Sequence, residues 1–316
     1  MSILHVLNGD ATLVPFRDSG LSGDIVINRS MMSEGQTIYT MDMDAFFRAR
    51  ADHAQHAYGI DRQTYLTQVV QEFTRLENAA LYEEVVLWFE FDLFCQVNLL
   101  FTLFYMQQHR LPARISLVSP AAHSQTPNFK GLGMLSASHF PALFADRLTL
   151  TPSDLEAAGN IWAAYCHFTP LRLEPFAGHP TGQLHHIGRA LTAHLQRLPA
   201  VGNGLNRIEQ FFLGLLSMAD YRWYDLYSQF WNQLTIYGFG DFQLDVYLRN
   251  MISAGVVDEK GQLLSITRLG REILNGEEQY GPYAARKEHY LGGIPLQHTP
   301  WRWDEKAGKV VNVKER

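Results

Sequence analysis

A short apolar run in the N-terminal half constrains the fold more than any other feature. Residues 85–89 are all apolar and rich in β-branched and aromatic side chains, which is typical of a strand covered on both faces in a parallel sheet. Two carboxylates, Glu90 and Asp92, follow, and a helical apolar pattern then covers residues 93–108. This order predicts a candidate site at the carboxyl edge of an open α/β sheet, where ligands usually bind.

Three other segments, residues 3–7, 24–28 and 113–118, have the pattern of buried strands, and helical patterns separate them. A strand–helix–strand start has a right-handed crossover, which places both strand ends at one edge of the sheet. The 316 residues suggest about two domains. We therefore predict a Rossmann-like α/β domain over residues 1–150, with a small and mostly parallel sheet.

The rest of the chain is predicted to be mainly helical. Thr151 and Pro152 are a strong helix start within a helical connector over residues 151–200, because Thr caps helices and Pro fits the first helical position. Residues 201–316 contain three helical segments, a hairpin pattern and a further helix. That order is the outline of a winged-helix module, so a winged-helix-like C-terminal domain is predicted.

Composition excludes several classes of protein. Apolar residues make up 47% of the chain and charged residues 18%, which favours a packed core over disorder. The net charge of -6 means that the chain has no excess of basic residues for binding nucleic acid or an anionic membrane. The first residues lack the pattern of a signal peptide, and no apolar run is long enough to span a bilayer. Cys95 and Cys166 are expected to be reduced, so a soluble, cytoplasmic protein is predicted.

The charge of the predicted winged-helix module argues against specific DNA binding. Residues 205–276 carry six basic and eight acidic side chains. The third helix, which would enter the major groove, has Asp241 and Asp245 against a single Arg249. DNA phosphates would repel that face, so a packing or protein-contact role is predicted instead.

Several segments together resemble a bacterial family catalogued as domain-of-unknown-function family 1835. The resemblance covers almost the whole chain and is carried by residues 7–10, 87–99, 131–133, 204–210, 291–293 and 301–304. Members of that family tend to have His where this chain has Phe91, and often Asp where it has Cys95. The family brings no established activity, so the resemblance implies an architecture and leaves the function open.

The candidate ligand-binding residues are Asp10, Arg29, Glu90, Asp92 and Gln96. If the first and central strands are neighbours, the carboxylates of Asp10, Glu90 and Asp92 converge and could hold Mg²⁺ or Mn²⁺, since these hard cations take oxygen ligands. The alternatives are structural. Asp10 and Asp92 would each cap a helix. Glu90 would pair with Arg29, and Gln96 would form a hydrogen bond with a nearby backbone group.

Two function classes follow from these residues. The first is an enzyme or binding protein for a small phosphorylated or nucleotide-like molecule, held at the acidic strand ends. The second is a non-catalytic regulatory protein whose winged-helix-like domain contacts another protein. The two differ in whether Asp10, Glu90 and Asp92 point into one open pocket or are used within the fold.

Overall fold

The computed structural model describes residues 2–284 and 289–314. The strands are β1 (Ile3–Asn8), β2 (Asp24–Asn28), β3 (Gly35–Gln36), β4 (Glu84–Trp88), β5 (Arg114–Val118), β6 (Leu148–Thr149), β7 (Tyr221–Arg222), β8 (Val257–Lys260), β9 (Leu263–Ile266), β10 (Tyr290–Gly292), β11 (Ile294–Pro295), β12 (Trp301–Asp304) and β13 (Lys309–Asn312). The helices are α1 (Leu13–Arg17), α2 (Met43–Tyr58), α3 (Arg62–Tyr65), α4 (Gln71–Thr74), α5 (Leu93–Met106), α6 (Phe140–Ala145), α7 (Pro152–Tyr165), α8 (Ile187–Leu195), α9 (Arg207–Met218), α10 (Trp223–Gln233), α11 (Asp241–Ser253) and α12 (Arg268–Leu274).

The N-terminal half is built on a five-stranded sheet in the order β2-β1-β4-β5-β6. The first four strands are parallel, and only β6 runs antiparallel to its neighbour β5. The predicted mostly parallel sheet is therefore confirmed. After β2 the chain returns to the other side of β1, so the strand order reverses between β1 and β4. In doubly wound sheets, ligands bind outside the carboxyl ends of the strands at such a switch point.

The central strand β4 is buried along its whole length. Trp88 packs with Phe16 and Phe140 on one side of the sheet, whereas Phe89 belongs to the main core on the other side. Successive residues in an extended chain point to opposite faces, and this alternation separates the two rings. The following helix α5 is almost entirely buried and packs against α7 and α8.

The sequence of residues 63–82 has helical spacing, but this segment does not form one continuous helix. It is divided into α3, a π-helical turn at Leu66–Val70, α4 and a 3-10 segment at Arg75–Leu81. The Thr67 hydroxyl donates a hydrogen bond to the Gln63 carbonyl at 2.9 Å. Bonds of this kind from Thr to the preceding turn bend helices, which accounts for a break at this position.

The C-terminal part contains the predicted helices, hairpin and closing helix in the predicted order. Strand β7, which directly precedes α10, pairs with β9 and completes a three-stranded sheet in the order β7-β9-β8. The tail then returns to the N-terminal half, where β10 pairs in parallel with β3. One buried core cluster joins residues from all three predicted segments, among them Leu4, Trp162 and Leu226. The predicted boundaries at residues 150 and 200 stay predictions.

In the part of the chain that the structure describes, no helix combines the length and the apolar character that crossing a membrane requires. Cys95 and Cys166 are both free thiols, as predicted.

Candidate functional site

Asp92, at the carboxyl end of β4, begins the buried helix α5. Its carboxylate accepts a hydrogen bond from the Cys95 backbone N–H at 2.9 Å, which is the geometry of a helix N-cap. The side chain is buried, and Gly238 of the turn before α11 lies directly against it. A Cβ built on Gly238 would overlap the Asp92 carboxylate. Asp92 therefore caps its own helix and supports a turn from the C-terminal part.

Glu90 is also buried, and its bonds differ from those expected. One carboxylate oxygen accepts from the Leu132 N–H at 2.9 Å, and the other accepts from the Cys95 thiol at 3.1 Å. A Cβ on Gly131 would come within 3.1 Å of the same carboxylate. The expected pairing of Glu90 with Arg29 is wrong, because a loop from residue 131 closes over Glu90 instead.

Asp10 is the actual partner of Arg29. The guanidinium donates to both Asp10 oxygens, at 2.7 and 2.6 Å, and Arg29 also donates to the Gln68 carbonyl. The Asp10 side chain remains 59% exposed. Asp10 does not cap a helix through its side chain, as the alternative reading expected, because Gly9 takes the capping position of the short 3-10 turn. The hydrogen bond from Arg29 lowers the pKa of Asp10 below its usual value.

Gln96 follows the structural alternative. Its side-chain amide donates to the Glu90 carbonyl at 2.6 Å and lies 3.4 Å from the Ser119 hydroxyl. Gln96 is 1% exposed, so its side chain bonds the backbone beyond β4 and does not line an open crevice. In the same network Asn98 donates to Asn8, and Asn8 donates to the Cys95 sulfur.

Glu90 and Asp92 form a pair of buried carboxyls with raised proton affinity. Burial raises the pKa of Glu90, and burial together with the neighbouring charge of Glu90 raises the pKa of Asp92 to about 7. Burial also raises the pKa of the Cys95 thiol, so the thiol keeps its proton and donates it toward Glu90. Two carboxylates this close cannot both ionise without cost, so the pair retains a proton near neutral pH.

The strand-end residues do not fit a bound Mg²⁺ or Mn²⁺. Asp10 is engaged by a guanidinium, while Glu90 and Asp92 are covered by the loops at Gly131 and Gly238. Among residues 2–284 and 289–314, no group of three or more His, Cys, Asp or Glu side chains is arranged to hold a metal ion. The predicted convergence of Asp10 with Glu90 and Asp92 into one open site is therefore not found.

A different region contains a large cavity. It has a volume of about 1080 Å³ and lies between α2 of the N-terminal half and α11 of the C-terminal part, with β3 and β10 at its wall. Small-molecule sites have volumes of roughly 300–1,000 Å³ and often lie between domains. The size and position of this cavity are therefore those of a ligand-binding site.

Four arginines line the cavity, and three of them have a carboxylate partner. Arg62 pairs with Asp52 at 2.6 Å, Arg249 pairs with Asp245 at 3.3 Å, and Arg197 pairs with Glu34. The fourth, Arg50, is 3% exposed and donates to the backbone carbonyls of Gln36 and Met31, at 3.0 and 2.8 Å. Among the described residues, Arg50 forms no ion pair with an Asp or Glu.

Arg197 connects the two walls of the cavity. Its guanidinium donates to the Ser33 carbonyl at 2.8 Å and to Glu34, both from the loop after β2, and to the Tyr247 hydroxyl of α11 at 3.0 Å. Burial raises the pKa of Glu34, and the charges of Arg197 and Arg50 oppose that rise. This bridge holds the C-terminal helix against the N-terminal half.

His53 lies one helical turn after Arg50 and also lines the cavity. Its ring packs over Gly35, and the buried Nε2 atom has no hydrogen-bond partner among the residues described. Burial and the positive charge of Arg50 lower the pKa of His53 to about 3. The imidazole is therefore neutral at physiological pH and adds no positive charge to the wall.

None of the residues of this cavity was predicted from the sequence as a ligand-binding residue. One signal was available in α2, where Arg50 shares the buried face with Phe46, Phe47 and Ala54. A charged residue on an apolar helix face needs a partner or a ligand. Nothing comparable marks Arg197, whose partners are more than 160 residues earlier or 50 residues later.

Comparison with known proteins assigns no family to this chain, which matches no protein-family model and no curated protein sequence.

Proposed function

We propose that the protein binds a small anionic molecule in the cavity between α2 and α11. The proposal keeps the predicted class of ligand and moves its site away from the strand ends. At the strand ends, Gly131 packs against Glu90 and Gly238 packs against Asp92. The chain therefore encloses these two acidic groups. An anionic ligand would be repelled by such groups and attracted to the cavity wall.

The single observation that supports the proposal most is the environment of Arg50. A buried charge is normally paired, because removing it from water costs several kcal/mol. Arg50 donates to two backbone carbonyls and has no carboxylate within ion-pair distance among the described residues, whereas each other arginine of the cavity has one. The charge of Arg50 also acts on Glu34, but Arg197 already engages that carboxylate. An anionic group of a ligand would supply the missing charge through charge-assisted hydrogen bonds.

The test is isothermal titration of the purified protein with inorganic phosphate, pyruvate and adenosine 5′-monophosphate. We expect at least one of these anions to bind, and Arg50→Met to weaken its affinity about ten-fold or more, since hydrogen bonds to charged groups contribute roughly 1.5–3 kcal/mol.

The matched control for that titration is Arg48→Met. Arg48 lies on the same helix but is exposed and outside the cavity. This variant should bind as the wild type does. Equal losses in both variants would mean that α2 contributes general positive charge and no site, and no binding of any anion to the wild type would end the proposal.

A second candidate function is contact with a protein partner through the C-terminal part, which we propose to be a winged-helix variant comprising α9, β7, α10, α11, β8, β9 and α12. The observation that favours protein over DNA is the placement of α11, the helix that would read DNA. Gln243 of this helix contacts Met31, and Tyr247 accepts from Arg197. A helix docked on its own chain by these contacts, with Asp241 and Asp245 on it, is poorly placed for a DNA groove.

Exposed apolar side chains support the protein-contact alternative. Met218, Tyr224 and Phe242 are all more than half exposed on the C-terminal part. The alternative predicts no salt-sensitive binding of duplex DNA in a fluorescence-anisotropy titration; sub-micromolar binding that Arg249→Ala abolishes would contradict it. We also propose that the protein is cytoplasmic and that it belongs to the family that its sequence resembles. Whether the bound molecule is also chemically changed is a separate question for product analysis.

A further inference from the structure

We propose that the ligand of the cavity is a nucleoside monophosphate, with its phosphate on Arg50 and its base against the tyrosines of the opposite walls. This inference rests on the proposed function, which requires only that a small anion binds. It adds the charge of the ligand, the presence of a flat aromatic ring and the residues that contact each part.

The charge of the ligand follows from the arginines and acids of the cavity. Arg62, Arg197 and Arg249 are already neutralised by Asp52, Glu34 and Asp245. His53 is neutral, because its pKa is lowered to about 3. Glu209, the other acid of the lining, accepts from the Asn206 backbone N–H at 2.7 Å within the capping box of α9. The wall therefore offers one guanidinium, Arg50, that has no carboxylate within ion-pair distance among the described residues. A single phosphate matches one such group, whereas the additional charges of a triphosphate would find no unpaired cation among the described residues.

The aromatic ring follows from the tyrosines. Tyr58 of α2, Tyr247 of α11 and Tyr290 of β10 line the same cavity from three different elements, and each is only partly buried. Bases stack on the faces of aromatic side chains, and this contact tolerates any base. Tyr247 also stacks on Phe239, and Tyr58 makes edge contacts with His53 and Phe242. A sugar phosphate or inorganic phosphate has no flat ring to place against these tyrosines.

The remaining lining suits the ribose and the exocyclic groups. Gln36, Asn206 and Asn250 supply amide groups around the cavity, while Ile38, Val246 and Leu296 supply apolar surface. Ligand sites typically combine mostly apolar walls with a few convergent polar groups. The volume of about 1080 Å³ is slightly above the usual range of such sites, so it has room for a molecule with three parts.

The test compares ligands on the wild-type protein, so that it does not depend on a variant folding. Titrations would use adenosine, guanosine, cytidine and uridine 5′-monophosphates, adenosine, adenosine triphosphate without metal, ribose 5-phosphate and inorganic phosphate. We expect at least one monophosphate to bind about five- to a hundred-fold more tightly than ribose 5-phosphate, because base stacking contributes an effect of that order. Adenosine should bind more weakly than its monophosphate, and the triphosphate no more tightly.

Variants then assign the contacts. Tyr58→Leu and Tyr290→Leu should weaken the monophosphate and leave inorganic phosphate unchanged, whereas Arg50→Met should weaken both. Tyr224→Leu, an exposed tyrosine outside this cavity, is the matched control.

The outcomes separate the two proposals. If inorganic phosphate or pyruvate binds through Arg50 but no monophosphate exceeds ribose 5-phosphate, the ligand class is wrong and the anion site stands. If the triphosphate binds at least ten-fold more tightly than the monophosphate, the count of one unpaired cation is wrong. If no anion binds at all, both proposals fail.

Discussion

The strand ends of the sheet and the cavity between α2 and α11 both bury charged groups, but they do so in opposite ways. At the strand ends two acids, Glu90 and Asp92, are buried under close-packed loops, and neither forms an ion pair with a cation among the described residues. In the cavity a cation, Arg50, lies beside open volume, and within the same described part of the chain it forms no ion pair with an acid. A protein can neutralise a buried acid by keeping a proton, but an arginine remains charged.

That difference is the reason why we propose two roles for the same kind of charge burial. The proton retained by Glu90 and Asp92 makes the strand ends self-sufficient, so the chain can close over them. Arg50 cannot neutralise its charge through its own protonation state, because an arginine side chain stays protonated in proteins. Open volume beside such a group is the better indicator of a binding site than a cluster of acids at a topological switch point.

The largest effect on stability is expected when the packing over Asp92 is disturbed. Gly238 has φ +64 and lies against the Asp92 carboxylate. Gly238→Ala should lower the free energy of unfolding by about 3–5 kcal/mol, as the sum of left-handed backbone strain and overpacking. Denaturant melts of the variant and wild type would measure the loss.

Gly261→Ala is the matched control for that substitution. Gly261 has φ +65 and nothing within 4 Å of a built Cβ, so only the backbone cost of about 1–2 kcal/mol is expected. Equal losses in the two variants would mean that the strand ends have room beside Asp92 and that a ligand could enter there.

The strand ends were largely predictable from local sequence, and the cavity was not. The run before Glu90, the cap at Asp92 and the helix after it are encoded within about twenty consecutive residues, so periodicity and capping rules apply to them. The partner of Glu90 is Leu132, in a loop 42 residues later, and no local pattern indicates which loop will cover a strand end.

The cavity depends on contacts between distant segments. Its walls bring together α2, α11, the loop at Ser33 and the tail at Tyr290. The strands of the tail have only two to four residues, which is too short for alternation to show. Arg50 on the apolar face of α2 was the one usable sign, and its meaning depends on a neighbour that sequence spacing does not reveal.

The proton held at the strand ends gives the next largest effect. The folded-state pKa of Asp92 is about 7, above the unfolded value near 3.9, so the folded protein binds more protons between these limits. Its contribution to stability is complete below about pH 4 and is lost as pH rises through about 7. Between pH 5 and pH 8 we expect this group to lower the free energy of unfolding by roughly 2–3 kcal/mol.

Urea melts of the wild type and Asp92→Asn at the two pH values would measure that effect. Asn retains the helix cap and has no proton to lose, so the variant should lack this part of the pH dependence. Buried histidines with lowered pKa, such as His194, titrate equally in both proteins and cancel in the comparison. Identical pH profiles would show that the carboxyl pair is ionised in the folded state and that the two regions do not differ as argued.

The smallest effect is expected at Asp10, the most exposed of the predicted site residues. Its ion pair with Arg29 is 59% exposed on the Asp side and 30% on the Arg side, and exposed pairs contribute at most about 1 kcal/mol. Asp10→Asn should therefore lower the free energy of unfolding by less than about 1 kcal/mol, and by less still in 1 M salt, where the Debye length is about 3 Å. Asp52→Asn breaks the similarly exposed pair with Arg62 and should behave alike.

A thermal shift of the wild type by Mg²⁺ or Mn²⁺ that Asp10→Asn removes and Asp52→Asn retains would contradict this reading. It would mean that the strand ends open in solution and that Asp10 exchanges Arg29 for a metal ion.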